Sequence, residues 1–408
     1  MPTVSERPGL RCSAMGTLQM QTAAESAPGN STILSRAAEI GPLLREHADE
    51  VESARRLTKP VIDALRSTGV FRMAMPKIWG GPELDIFEQI EIIETLSRAD
   101  ASAGWCAMIG SDSGYYSGYV DDATARSLYP DLDAVTAGWI SPAGTLEVCE
   151  GGYRLSGRWS FGSGSTHADV ITGGARVTEN GVPRITADGT PEFRIAMLPA
   201  ARWQVLDTWN TTGLAGSGSH DYTITDAFVP AENTWFPGET HRSGTLYAWR
   251  GMFVANVVGV PVGVALDACE TAADIIAGKV LMPQMTPASD EPRMRSGIAR
   301  ARALVGSARS YAHDTIGSLW TTVEAGDEPT FQQRADLAGC YVHTVSTCRD
   351  AVRILVDTVG TAAIRKTCPL ERQLRDLTTL GQHIVGQELM REWAGGLYFG
   401  RSPSMPVL

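Results

Sequence analysis

The residues best suited to chemistry are a histidine, a few serines and one aspartate. His383 follows Asp376 by seven positions in the run Pro369-Leu-Glu-Arg-Gln-Leu-Arg-Asp-Leu-Thr-Thr-Leu-Gly-Gln-His. On one helix that spacing puts both side chains on the same face, about 10 Å apart along the axis and too far to touch. An imidazole titrates near pH 6.5, roughly the working range, and suits proton transfer from a phenol or amine. A helix histidine bonded within an interface would look the same. Ser163 closes an alternating run in which Tyr153, Leu155, Gly157, Trp159 and Phe161 interleave with Arg154, Ser156, Arg158 and Ser160. A period of two marks a half-buried strand. Trp159 and Phe161 are expected to face inward. Gly162 and Gly164 leave room for a flat ring system to approach the backbone, although a plain Gly-Ser turn has the same signature.

A second glycine-spaced run, Trp209-Asn-Thr-Thr-Gly-Leu-Ala-Gly-Ser-Gly-Ser-His-Asp, contains Gly213, Gly216, Ser217, Gly218 and Ser219. Its glycines are expected to free backbone amides for a phosphate or a ring edge. Trp139 and Ser141 lie in Val135-Thr-Ala-Gly-Trp-Ile-Ser-Pro-Ala-Gly; Ser141 is a candidate contact or a simple turn hydroxyl. Trp105, Tyr115 and Tyr116 suit an aromatic pocket or the core. Between them, Asp112 either meets a substrate amine or stands at the surface, the commoner place for aspartate. Arg293 and Arg295 open a helix, either reaching a phosphate or forming a solvated face.

These residues need scaffolding of two kinds. Ala37, Ile40, Leu44, Ala48 and Val51 recur at spacings of three and four, as do Ile86, Ile90, Ile93 and Leu96, so residues 33–133 read as helical. Pro76 and Gly80-Gly81-Pro82 break that pattern. Residues 134–240 read as short strands separated by Gly, Asn, Asp and Pro, a small antiparallel sheet. Residues 241–408 return to long helices over 254–276, 294–325 and 329–358, with a last helix striped by Leu370, Leu374, Leu377, Gly381 and Ile384. Residues 1–32, rich in small and polar residues, read as a disordered extension, with Met15 or Met20 as possible biological starts. The class is α+β, multidomain, in the order helices, sheet, helices.

The 408 residues are 43% hydrophobic and 20% charged, with a net charge of -11. That balance argues against nucleic acid, which selects basic surfaces. No apolar stretch of about 18 residues is evident, so no membrane span is expected. The seven cysteines (Cys12, Cys106, Cys149, Cys269, Cys340, Cys348 and Cys368) show no metal spacing and fit a reducing, cytoplasmic setting.

The Gly152–Gly164 and Trp209–Asp221 strings, the latter followed by Phe228-Val229-Pro230, resemble the acyl-CoA dehydrogenase superfamily. The details are most similar to its reduced-flavin-dependent, two-component (group D) monooxygenase branch. The resemblance covers about residues 33–400. It implies an N-terminal helical domain, a middle β domain and a C-terminal four-helix bundle, usually assembled as a homotetramer. It implies FAD or FMN, delivered reduced by an NAD(P)H:flavin reductase, since no Gly-x-Gly-x-x-Gly nicotinamide site is present. In such proteins oxygen adds to the flavin as a C4a-hydroperoxide, which then hydroxylates or N-oxygenates a small organic substrate. By resemblance, Ser163 bonds the flavin near N5. Trp139, Ser141, Phe161, Gly213, Ser217, Ser219 and Arg293 belong to its binding site. His383 faces flavin and substrate, with Trp105, Asp112 and Tyr116 in the substrate pocket. The glutamate expected of a dehydrogenase is not evident, nor is the second histidine that many hydroxylases carry near position 112. A dehydrogenase or oxidase with resident FAD and a non-catalytic flavin binder are the alternatives.

Overall fold

The computed structural model describes residues 31–236 and 240–401. Cys12, Met15 and Met20 lie outside the described residues. The chain opens with α1 (Ser31–Glu39), α2 (Gly41–Ala54), α3 (Lys59–Thr68), α4 (Ile86–Ala99), α5 (Ala101–Gly110), α6 (Ser113–Tyr116) and α7 (Asp122–Leu128). Local chemistry sets the boundaries. Asp85 accepts from the amides of Phe87 and Glu88 at 2.9 Å, and Glu88 accepts from the Asp85 amide, a reciprocal cap that starts α4. Asp100 accepts from Ala103 N at 2.8 Å and starts α5. That helix is apolar nearly all round and lies buried between its neighbours. A Cβ on Gly104 would fall 2.0 Å from Ser97 Oγ, so only glycine lets α4 and α5 approach this closely.

The middle of the chain is one sheet. Its strands are β1 (Thr136–Cys149), β2 (Gly152–Gly162), β3 (Val170–Glu179), β4 (Val182–Pro183), β5 (Phe193–Pro199), β6 (Gln204–Leu206), β7 (His220–Pro230) and β8 (Thr234–Trp235). The spatial order is β6-β7-β2-β1-β3-β5-β8, with β4 paired to β3. The sheet is mixed rather than wholly antiparallel, because β1 and β3 run parallel. Strand β2 brings the chain back antiparallel to β1, and the segment between Gly162 and Val170 crosses to the far side of β1, where β3 starts opposite Thr136 and runs the same way as β1. Trp159, Trp203 and Tyr222 form the sheet's own core, with the Trp159 and Tyr222 rings stacked at 5.6 Å.

The C-terminal part has α8 (Thr245–Ala248), α9 (Gly259–Ala277), α10 (Pro292–Glu324), α11 (Phe331–Val359), α12 (Pro369–Leu380) and α13 (Glu388–Tyr398). Helices α9 to α12 pack together as the bundle, and α13 lies along α11. One expectation changes here. Arg250–Ala277 is long and apolar enough, by length and composition, to cross a membrane. Its mean hydropathy rests on small residues that pack inside the bundle, and most of the segment is buried against α4 and α11. Arg250–Val258 winds more tightly than the α-helix that follows.

Candidate active site

Where the sheet meets the helices there is a cavity of about 440 Å3. Met108 and Ile109 of α5, Asp112 and Tyr116 form one wall, Thr136 to Pro142 of β1 a second, and Phe253, Tyr341, His383 and Trp393 a third. The walls are mostly apolar. The register of β1 against β3 shifts between Trp139 and Gly144. Such a bulge re-aims side chains, and here Ile140 and Ser141 turn to the cavity.

His383 reaches the cavity from a different element than expected. Helix α12 ends at Leu380, and His383 has extended backbone (φ -68°, ψ 150°) ahead of a short turn. Gly381 and Gln382 unwind the chain, so the seven-residue helical spacing from Asp376 does not hold. The imidazole meets the Trp105 ring edge-on at 4.9 Å. Its Nδ1 is sealed from solvent and has no partner. Burial alone pushes the imidazole down to about 4, because the cation would lose its water without gaining a counter-charge. The ring is therefore neutral near pH 7.

Behind Trp105 runs a line of hydroxyls. Trp105 Nε1 donates to Ser163 Oγ at 2.9 Å. Ser163 Oγ lies 2.7 Å from Ser219 Oγ, and Ser219 Oγ lies 2.7 Å from Ser217 Oγ. The far end fixes the direction, since Ser217 donates to the Leu214 carbonyl at 2.7 Å. A hydroxyl has one proton, so Ser219 donates to Ser217 and Ser163 donates to Ser219. Ser163 thus spends its proton inward, accepts from Trp105, and keeps one lone pair for a further donor. All three serines are buried.

In the glycine loop three amides have protein partners. Leu214 N donates to Asp376 Oδ1 at 2.6 Å, and the amides of Ser217 and Gly218 turn back to Leu214 and Ala215. The glycines also serve close packing. A Cβ on Gly213 would lie 2.1 Å from the Arg375 carbonyl, and one on Gly216 would lie 2.1 Å from Val51. Arg375 also donates to the Thr212 carbonyl and pairs with Glu52 of α2. So α12 clasps this loop through two adjacent residues. Asp376, enclosed there, has its carboxyl pushed up to about 7, mainly by burial.

Phe161 departs from the inward alternation. The register of β2 against β7 shifts between Trp159 and Gly162, and Phe161 takes a left-handed φ of 65°. Its ring is 57% exposed and meets Trp139 at 6.1 Å and Trp209 at 6.3 Å. Trp159 does point inward. Asp112 corrects the surface expectation, being only 4% exposed. Arg293 and Arg295 stand exposed in the first turn of α10 and do not line the cavity. The structure therefore joins Asp112, Tyr116, Trp139, Ser141 and His383 around one space. Trp105, Ser163, Ser217 and Ser219 form the polar line behind it.

Tyr341, Phe253 and Trp393 went unread in the sequence. Each is one aromatic in a helical stripe, which marks core as often as cavity. Tyr341 is distinguished only by its buried, unpartnered hydroxyl. Among the described residues no group of three or more His, Cys, Asp or Glu side chains gathers as a metal would require.

Comparison with known proteins agrees with this architecture. Residues 38–122 match the acyl-CoA dehydrogenase N-terminal domain and residues 255–388 its C-terminal domain. Indole-3-acetate monooxygenase of Acinetobacter baumannii is 30% identical over 364 residues, covering 88% of this chain and 92% of that protein. The chain belongs to the flavin-dependent monooxygenases of the acyl-CoA dehydrogenase superfamily. The FADH(2)-dependent resorcinol hydroxylase oxygenase component of a Rhizobium species is 29% identical, over 86% of this monooxygenase and 90% of the relative. In fold, the enzyme is similar to XiaF from Streptomyces, solved with FADH2 and glycerol. That structure has a TM-score of 0.85 and 24% identity, over 93% of this chain and 98% of the other.

Proposed function

We propose that this monooxygenase receives FMN or FAD already reduced, from a separate NAD(P)H:flavin reductase, and oxygenates a small, largely aromatic molecule in the 440 Å3 cavity. The observation that carries the reading is the polarity of the serine line. At its open end Ser163 offers only a lone pair, which suits the N5–H of a reduced flavin; the oxidised ring needs a donor there. The residues also fit the rest of such a group. Phe161, Trp139 and Trp209 supply an exposed aromatic face beside Ser163, and His383 presents a sealed, unpartnered nitrogen. Bound reduced flavin supplies the two electrons that activate dioxygen for transfer of one oxygen atom.

The chain's own residues do the remaining work. Trp105 holds Ser163 in place as an acceptor. Apolar walls from α5, β1 and α11 keep water out, which protects reactive species and strengthens each polar contact. Neutral His383 accepts the substrate's proton as oxygen is transferred. Asp112, Tyr116 and Tyr341 orient the molecule. Arg293 reaches flavin phosphates across a subunit boundary of a homotetramer, consistent with its exposure on α10. A cytoplasmic setting suits the six described cysteines, all unpaired.

The test is redox-dependent binding. Dissociation constants are measured anaerobically for reduced and oxidised FMN and FAD, in the wild type and Ser163→Ala. The wild type should favour the reduced form, and the variant should lose roughly one hydrogen bond's worth of that preference, about 1 kcal/mol. Equal or tighter binding of oxidised flavin by the wild type would instead support a resident-cofactor dehydrogenase.

A further inference from the structure

Three polar side chains at the cavity have buried atoms without partners: Asp112 Oδ1, His383 Nδ1 and Tyr341 Oη. Of these, Asp112 alone is a carboxyl, able to carry a full charge once a cation stands beside it. Its neighbours in sequence are already occupied. Ser111 Oγ donates to the Met108 carbonyl at 2.8 Å, and Ser113 Oγ to the Ala134 carbonyl at 2.7 Å. Asp112 sits at the break between α5 and α6 and caps neither through its side chain. A buried carboxyl usually meets several donors. This one meets none, in a wall that is otherwise Met108, Ile109 and Tyr116.

The groups that face it offer no compensation. The phenols of Tyr115, Tyr116, Tyr119 and Tyr129 interact with it electrostatically. Among the described residues no lysine or arginine lines the cavity. Burial holds the carboxyl well above the usual carboxylate range. An anionic substrate would thus enter a mostly apolar space where the described residues offer no cation and one potential anion. A cationic one would bring the missing counter-charge.

We infer that Asp112 sets the enzyme's substrate class: aromatic molecules bearing a basic nitrogen are accepted, and aromatic carboxylates are turned away. The inference deepens the proposed function, resting on this cavity as the substrate site. It separates this chain in specificity from its indole-3-acetate-oxidising relative despite their common fold. When the ammonium group pairs with Asp112, the O–H bond of the carboxyl breaks, its proton leaves to solvent, and the carboxylate remains as the counter-ion.

The test uses three probes with one ring: tryptamine (cation), 3-methylindole (neutral) and indole-3-acetate (anion). Binding to the full-length protein is measured by calorimetry at pH 7 without reduced flavin or dioxygen, so the outcome is independent of the oxygenation chemistry. Tryptamine should bind at least tenfold more tightly than 3-methylindole, and indole-3-acetate most weakly. In buffers of different ionisation heat, tryptamine binding should release protons, and 3-methylindole binding should release none. Asp112→Asn should abolish both the tryptamine advantage and the proton release. Circular dichroism and the urea midpoint of the variant report whether its fold is intact. Should that variant not fold, the wild-type ranking and proton count still decide. Tightest binding of indole-3-acetate, equal binding of all three, or binding of none would overturn the inference.

Discussion

In the proposed mechanism, two residues act on the chemistry in opposite ways. Ser163 is locked as an acceptor by a serine line that ends on the Leu214 carbonyl. His383 is left open, with a nitrogen that no protein group satisfies. Replacing it, His383→Gln, should lower product formation about a hundredfold to ten-thousandfold, the usual range for a lost proton acceptor. Flavin oxidation should continue, its electrons appearing as hydrogen peroxide; the ratio of product to peroxide measures this. A parallel loss of flavin oxidation would give His383 a different role. Because burial already pushes the imidazole down to about 4, wild-type turnover should not fall between pH 8 and pH 6 through this residue. Ser163 and His383 stood out as candidates in the sequence, since each lay in a distinctive string. Asp112 was also named for the pocket, but its burial was not readable. Whether a hydrophilic side chain is buried depends on the α5–α6 break and on what packs over it, and one chain's residue types do not carry that information.

At the scale of elements, the join between α12 and the glycine loop positions the serine line. Arg375 and Asp376 hold Thr212 and Leu214 on either side of Gly213, which touches the helix backbone. Gly213→Ala should therefore destabilise the protein by about 1–3 kcal/mol, the range for overpacking, and should loosen reduced-flavin binding as well. Urea denaturation and anaerobic titration check the two effects. A fully stable variant would show that the loop is free to move away from α12. The strands and long helices were readable because their apolar periods of two and three to four persist over many residues. The end of α12 was misread because Leu377, Gly381 and Ile384 continue a helical stripe that the chain abandons at Leu380. The packing role of the glycines was not readable either: spacing reveals where a Cβ is missing but not what lies against the gap. The bulge that turns Phe161 outward was equally invisible, since it breaks an alternation that the residue types themselves maintain.

For the whole molecule, buried titratable groups oppose one another. Burial pushes His167 and His383 each down to about 4, below the unfolded value near 6.5. Their stabilisation is complete above pH 6.5 and is lost as pH falls toward 4, because the unfolded chain takes up protons first. Asp376 is raised to about 7, so its contribution is complete below about pH 4 and is lost as pH rises through 7. Compared with wild type, His167→Gln should lose less stability between pH 7 and pH 5, and Asp376→Asn should gain less; urea midpoints at the two pH values show both signs. In the proposed mechanism, oxygenation depends on the mostly apolar cavity between helices and sheet. Its most direct test needs no substrate. Protein carrying one equivalent of anaerobically reduced FMN is mixed rapidly with dioxygen, and hydrogen peroxide release is timed against free reduced FMN. Release slower by roughly an order of magnitude or more is expected of a site that excludes water. Release as fast as from the free flavin would contradict it.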